Sequence, residues 1–208
     1  MINIGGFKMH VLQKDELPNV QQIFDEGVYV KGVNTELMLY LGTQLVHGDN
    51  YAYIARSQAD YEDSIPYYEL VIINYLNNNG NKIISLVRRE TIVRGVPKGI
   101  VGGMMCSTEE EACIREYSNI KKFDELIDIF KKAIDKTKEM KEETEIVKKV
   151  KRFDYESKLY LGYAVSRGIN YYYIAEATNI KTEQKSVQLL EINDFMDKSE
   201  ILKIEDIL

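Results

Sequence analysis

The segment RRETIVRGVPKGIVGGMMC, residues 88–106, contains the residue types best suited to binding a charged ligand. It is basic in an otherwise acidic chain, and it is rich in glycine. A capping-box pattern, Ser107 with Glu110, follows it and predicts the start of a helix. A glycine-rich loop that enters a helix presents backbone N–H groups to an anion, and nearby arginines help to hold a phosphate.

These features predict a site for a small anionic ligand on this segment. The predicted ligand-binding residues are Arg88, Arg89, Arg94, Lys98, Gly102 and Gly103. The segment has neither the P-loop spacing nor the GxGxxG pattern of dinucleotide-binding units. The alternative is a flexible connector, because glycine is the usual residue wherever the backbone adopts unusual conformations.

Tyrosine is the second residue type that could form a functional surface. Tyr51 and Tyr53 lie two positions apart in NYAYIA, and Tyr171 and Tyr173 do so in NYYYIA, so each pair shares one face of a strand. Tyrosine combines apolar area with a hydrogen-bonding tip, which suits contacts with a protein partner. These four residues are candidates for partner binding, but we favour the interpretation that the rings fill the space between sheet and helices.

The sequence contains no pattern typical of catalysis or of metal binding. His10 and His47 have no second ligand at metal-binding spacing, and Cys106 and Cys113 lie seven residues apart, which fits no CxxC motif. A nucleophilic pair of Cys106 with His47 would rest on two isolated residues. We therefore expect no catalytic residue, no metal and no cofactor.

Composition limits the classes of partner. The chain has 208 residues, 45% of them hydrophobic, and a formal net charge of −6. An acidic chain has little general attraction for nucleic acid or for an anionic membrane. No apolar stretch approaches the length of a membrane span, and the first twenty residues do not resemble a signal peptide. These features predict a soluble, cytoplasmic protein.

An internal repeat determines which elements must position these residues. Residues 39–55 read LYLGTQLVHGDNYAYIA and residues 159–175 read LYLGYAVSRGINYYYIA, so ten of seventeen positions are identical at an offset of 120. The repeat predicts two similar structural units related by a pseudo-twofold axis. The side chains that could do chemistry differ between the copies, so the repeat predicts a duplicated scaffold and not a doubled site.

Two local structures fit the repeated segment. We favour a helix over 35–47 followed by a strand over 50–57, and a helix over 155–167 followed by a strand over 170–177. Asn34 and Asp154 would then be N-caps, and the glycines at 48 and 168 would end the helices. A hairpin that turns at each of these glycines is the alternative.

The remaining pattern completes an α+β fold. Further strands are predicted over 67–76, 82–93 and 186–195, a short helix over 16–26 and an amphipathic helix from Ile120, while 198–208 fits either type. We predict two duplicated helix-strand-strand units around a mainly antiparallel sheet, with a helical insert between them. The predicted regions are 1–94, containing repeat unit 1 at about 30–76, then 95–149 as connector and helical insert, and 150–208 as repeat unit 2; one compact domain is the alternative.

The absence of a catalytic pattern, the acidic charge and the tyrosines together indicate a binding protein and not an enzyme. We expect it to act on a protein partner as an inhibitor, immunity factor or regulator, with charge complementarity guiding the encounter. The alternative is a small-ligand, nucleotide or phosphate binder, or an enzyme, that uses the cleft between the repeats or segment 88–103.

Overall fold

The computed structural model is an α+β protein with two five-stranded antiparallel sheets and few helices. It describes residues 8–13, 18–78, 81–96, 104–107, 121–196 and 198–208. The chain divides into two compact units, Met1–Gly95 and Val96–Leu208, and each contains one of the sheets.

The described residues of the first unit form one helix and five strands. Its elements are β1 (Lys8–Gln13), α1 (Pro18–Val28), β2 (Val33–Val46), β3 (Gly48–Ala59), β4 (Tyr67–Asn78) and β5 (Asn81–Arg94). The strands lie in chain order, β1-β2-β3-β4-β5, so each pairs with its sequence neighbour. The apolar side of α1 places Phe24 and Val28 in a core with Tyr53, Val71 and Ile73 of the sheet.

The second unit has the same strand connectivity with a longer helical segment. Its elements are β6 (Met104–Cys106), α2 (Lys121–Glu139), α3 (Glu145–Arg152), β7 (Phe153–Ser166), β8 (Gly168–Asn179), β9 (Lys185–Phe195) and β10 (Lys198–Asp206). The sheet order is β10-β9-β8-β7-β6. Leu126, Phe130 and Ile134 of α2 recur every four residues and pack against Tyr173 and Leu190.

The repeated segments are hairpins, so the predicted helices over 35–47 and 155–167 are wrong and the hairpin alternative is correct. β2 pairs with β3, and β7 with β8, in registers that correspond at an offset of 120. In β2 the register shifts between Leu37 and Leu39 and again between Tyr40 and Gly42. These bulges break the alternation of a regular strand, and residues 37–42 are all buried, so the pattern resembled a helix.

Most of the other predicted elements are confirmed. Strands over 67–76, 82–93 and 186–195 correspond to β4, β5 and β9, and the two helices near 16–26 and from Ile120 correspond to α1 and α2. The ambiguous stretch 198–208 contains β10. The helix predicted at Ser107–Glu110 falls mostly outside the described residues.

The tips of the two hairpins explain why glycine and asparagine recur in both copies. Gly48 has φ +92°, and a Cβ there would lie 2.6 Å from the carbonyl oxygen of Tyr75. The Nδ2 atom of Asn74 donates to the carbonyl oxygen of His47 at 3.2 Å and to Asn50 Oδ1 at 2.7 Å. In the second hairpin the same bonds join Asn193 to Arg167 and to Asn170, at 3.2 and 2.6 Å. The repeated asparagines therefore have a structural role at both hairpin tips.

Candidate functional site

Arg89 of β5 lies in a polar network on the face of the sheet that carries α1. Its guanidinium donates to both carboxylate oxygens of Glu69, with Nε–Oε2 at 3.0 Å and an η nitrogen to Oε1 at 2.5 Å. It also donates to Ser57 Oγ and Thr35 Oγ1, each at 3.1 Å, and to the carbonyl oxygen of Val28 at 3.2 Å. Hydrogen bonding to Glu69 raises the pKa of Arg89. This guanidinium therefore ties the sheet to the end of α1.

The other predicted anion-binding residues do not join Arg89. Arg88 pairs with Ile72 in the ladder and is exposed on the opposite face of the strand. Arg94 is exposed at the end of β5, with its guanidinium carbon 5.6 Å from the centre of the Tyr67 ring. Lys98, Gly102 and Gly103 lie outside the described residues. The structure thus separates the described arginines, and a site on this segment stays a prediction.

The predicted partner-binding tyrosines divide into two buried rings and two half-buried ones. Tyr53 and Tyr173 are fully buried, and each hydroxyl donates to a helix carbonyl, of Val20 at 3.2 Å and of Leu126 at 3.0 Å. Burial raises the pKa of both hydroxyls, which keeps them neutral donors. The partner-binding prediction therefore depends on the half-buried Tyr51 and Tyr171 alone, and it stays a prediction.

A group of apolar side chains is exposed at the hairpin end of the first sheet, on the face opposite α1. We call it the apolar end, and it consists of Val46, Leu76, Ile83 and Leu86. Val46, Ile83 and Leu86 are 43%, 46% and 54% exposed, and Leu76 is half-buried. The ladder places them in adjacent rows, because Leu76 pairs with Ile83 and Asn74 pairs with Leu86.

The geometry of β4 and β5 shows which face these side chains share. Tyr75 points towards α1, where its hydroxyl lies 3.4 Å from Glu26 Oε2, and its ladder partner Ile84 packs against the α1 core. Leu76 and Ile83 are the next pair along the ladder and therefore point the other way. A register shift between Ile84 and Leu86 returns Leu86 to the same face as Ile83.

Three of the four matched positions in the second sheet are polar. By ladder position, the counterparts of the apolar end are Ser166, Phe195, Lys198 and Glu200. The one ring among them, Phe195, is half-buried beneath the Arg167 guanidinium, whose carbon lies 5.7 Å from the ring centre. The scaffold therefore forms without exposed aliphatic side chains at this place.

The helix-side face of the second unit differs as well. The ladder position of Arg89 is occupied by Ile204, and that of Glu69 by Gln188. A groove of about 310 Å³ opens here, lined by residues of α3 together with Phe153 and Ile204. Gln188 donates from Nε2 to Asp206 Oδ1 at 2.9 Å, and Lys149 Nζ lies 3.0 Å from both oxygens of Asp206.

The described residues contain no group of three or more His, Cys, Asp or Glu side chains that could hold a metal ion. No helix among them has the length and apolar content needed to span a membrane. The residues of the apolar end and of the groove were not singled out from the sequence. Comparing the copies beyond residues 39–55 could have indicated them, but Leu86 and Glu200 match only after the two extra ladder pairs and the bulge of the β4–β5 hairpin are allowed for.

No protein-family model and no curated protein matches the chain. One solved structure with some similarity is described as an Ntf2 like protein involved in plasmid conjugation; it is 11% identical, with 85% of this chain and 79% of that chain covered and a TM-score of 0.25. A likeness this distant carries no argument about the fold or the function of this chain.

Proposed function

We propose that the chain is a binding protein without chemistry of its own, and that a protein partner docks on the apolar end of the first unit. One observation carries the proposal: the four positions of the apolar end are aliphatic in the first unit and polar or cation-covered in the second. Exposed aliphatic side chains grouped in this way are typical of interaction surfaces.

A comparison of the two sheets supports a binding role for the aliphatic residues of the apolar end. Full burial of an aliphatic side chain is worth roughly 1.5–3 kcal/mol, and these half-exposed side chains forgo about half of it, which a partner can supply. The second unit keeps the same ladder with Ser166, Lys198 and Glu200, so the fold does not demand aliphatic residues there. Proteins that bind others commonly bury an apolar centre within a polar rim.

Arg88 supplies one charge of that rim. It follows Leu86 on the same exposed face of β5, and it has no ion-pair partner among the described residues. A guanidinium beside an apolar surface favours a partner that brings a carboxylate to the edge of its own apolar patch. We propose a partner surface of that kind, bound as a regulatory, inhibitory or immunity interaction.

We also infer that the two units arose by duplication of one ancestral unit. The hairpin registers, the two bulges of each first strand, and the glycine and asparagine pairs at each tip correspond at an offset close to 120 residues. Matched tyrosines support the inference, since the Tyr53 and Tyr173 hydroxyls both donate to helix carbonyls. The pseudo-twofold relation stays a prediction.

A capture experiment with matched variants tests the proposed docking surface. The chain is immobilised and exposed to extract of its own cells, beside an Ile83→Lys/Leu86→Glu variant that copies the second unit. We expect at least one protein to be retained by the wild type and lost about tenfold or more by the variant, since central apolar contacts are worth about 2 kcal/mol or more. Its affinity for the purified chain is then measured.

The control is Lys198→Ala/Glu200→Ala, at the matched positions of the second unit, which should retain the same protein as the wild type. Both double variants change exposed residues, so circular dichroism should show an unchanged fold. Retention of nothing, or equal retention by the wild type and by Ile83→Lys/Leu86→Glu, would show that the apolar end is not a docking surface.

A further inference from the structure

The groove of the second unit combines an apolar floor with a cationic wall. Ile146, Phe153 and Ile204 provide the apolar part, Lys148, Lys149 and Arg152 provide positive charges, and Glu145 provides a negative one. Its volume of about 310 Å³ suits a small molecule, because ligand sites begin near about 300 Å³. Such a local excess of positive charge is unusual in a chain whose net charge is −6.

The matched position in the first unit explains why space opens here. There Arg89 of β5 extends across the sheet to Glu69 and to the end of α1. In the second unit the shorter side chain of Ile204 occupies that ladder position, and α3 lies against the same edge of the core, with Ile146 and Ile204 packed on it. The groove therefore lies where the first unit has a polar network.

The cations of the groove differ in how far they are neutralised. Lys149 lies 3.0 Å from Asp206, and Lys148 lies 3.3 Å from a Glu145 carboxylate whose side chain is 92% exposed. Arg152 is exposed, and its guanidinium has no partner among the described residues. Arg152 is therefore available to an anion. Lys148 is available as well, because its surface ion pair with Glu145 is weak and costs little to break.

Three polar groups on the sheet behind the groove have no hydrogen-bond partner among the described residues. They are the Oε1 atom of Gln188, a residue only 1% exposed, and the hydroxyls of Tyr155 and Ser157. Burial, together with the nearby Asp206, raises the pKa of Tyr155 and keeps its hydroxyl a neutral donor. Unpaired polar atoms in a buried region are costly and often mark the place where another molecule binds.

We propose that this groove binds a small organic anion, a carboxylate or a phosphate monoester with an apolar body. The anionic group lies against Arg152 and Lys148, and the apolar body lies on Ile146, Phe153 and Ile204. The site is separate from the apolar end of the first unit, and the proposal does not depend on a protein partner docking there.

The test is a titration of the full chain with phenyl phosphate, benzoate and inorganic phosphate, followed by NMR of backbone amides. We expect phenyl phosphate or benzoate to shift the amides of residues 145–153 and 204, and inorganic phosphate to bind at least about tenfold more weakly, because it lacks the apolar body. Arg152→Ala should weaken binding about tenfold. Ile204→Arg, which copies the first unit, should abolish it.

Arg167→Ala is the matched control. Arg167 is also an exposed arginine of the second unit, but it lies at the opposite end of the β7–β8 hairpin, so its loss should leave binding unchanged. Arg152 is exposed, so Arg152→Ala keeps the fold and stays informative even where Ile204→Arg does not fold. Absence of shifts at 145–153 with every probe, equal affinity for inorganic phosphate and phenyl phosphate, or unchanged binding by Arg152→Ala would each overturn the proposal.

Discussion

The two units have corresponding strand ladders but carry different side chains at matched positions. On the helix side, Thr35, Ser57, Glu69 and Arg89 of the first unit correspond to Tyr155, Ala177, Gln188 and Ile204 of the second. The first set forms an ion pair with further hydrogen bonds to Ser57 and Thr35, whereas in the second set Gln188 Oε1 and the Tyr155 hydroxyl have no partner among the described residues. A scaffold held by its hairpin tips and tyrosines thus tolerates either solution.

The faces opposite the helices also differ between the two sheets, but there the first unit has the apolar residues and the second has the polar ones. The first unit exposes the aliphatic apolar end, and the second has Ser166, Lys198 and Glu200 there. The glycines and asparagines of the hairpin tips agree between the units and stabilise both hairpins. The positions that differ include the proposed binding surfaces and also the Arg89–Glu69 ion pair of the first unit.

The largest effect expected within this comparison comes from Glu69→Gln, which gives the first unit the residue type that the second unit has at the matched position, Gln188. Glu69→Gln leaves the Arg89 charge without its carboxylate in a mostly buried place, so we expect a loss of about 3 kcal/mol of unfolding free energy. Glu69→Gln/Arg89→Ile copies both residues of the second unit and removes the orphaned charge, so most of the loss should be regained. Urea unfolding measures both, and additive losses in the double variant would show that the two units are not interchangeable at these rows.

A smaller, matched effect is expected at the hairpin tips. Gly48→Ala and Gly168→Ala each place a Cβ 2.6 Å from a carbonyl oxygen, at φ +92° and +97°. Strain of this kind costs about 2 kcal/mol, and the cost should be similar in both units. Gly32→Ala is the control, because Gly32 has φ +78° but no atom within 4 Å of its Cβ position, so it should lose less. Thermal unfolding gives the three values, and unequal costs at the two tips would contradict the correspondence.

The smallest expected changes in stability come from removing tyrosine hydroxyls, and they should differ between hydroxyls with and without a hydrogen-bond partner. Tyr53→Phe and Tyr173→Phe each remove a hydrogen bond to a helix carbonyl, so each should cost about 1 kcal/mol. Tyr155→Phe removes a hydroxyl that has no partner among the described residues, so it should cost nothing or stabilise the chain. Hydrogen exchange of α1 and α2 reports the losses. A destabilised Tyr155→Phe would show that this hydroxyl has a partner in solution.

Most secondary-structure elements could be predicted from the sequence, but the repeated segment was predicted as a helix followed by a strand and is a hairpin. The strands over 67–76, 82–93 and 186–195 were predictable because β-branched residues and turn signals bound them. The hairpin was not favoured, since two bulges and burial on both faces removed the period of two that identifies a strand. The acidic and basic residues that resembled helix caps stand at the two ends of long strands.

The candidate sites were less predictable than the fold. Arg88 and Arg89 are neighbours in sequence, yet they point to opposite faces of β5, so a basic run does not become a basic patch. The apolar end and the groove join residues that are far apart in the chain, as with Lys149 and Asp206 at 57 positions. Their proximity depends on ladder register and bulge positions, which short sequence windows do not contain.

The bond from Arg89 to the carbonyl oxygen of Val28 bears on how the chain folds as it is made. It joins the end of the first helix to the last strand of its unit, across 61 residues. Closing a contact so distant is slow, and it requires the whole intervening sheet. On the ribosome, α1 therefore stays without this attachment until residues up to β5 have emerged, and we expect the first unit to gain its full resistance to proteolysis only at that chain length.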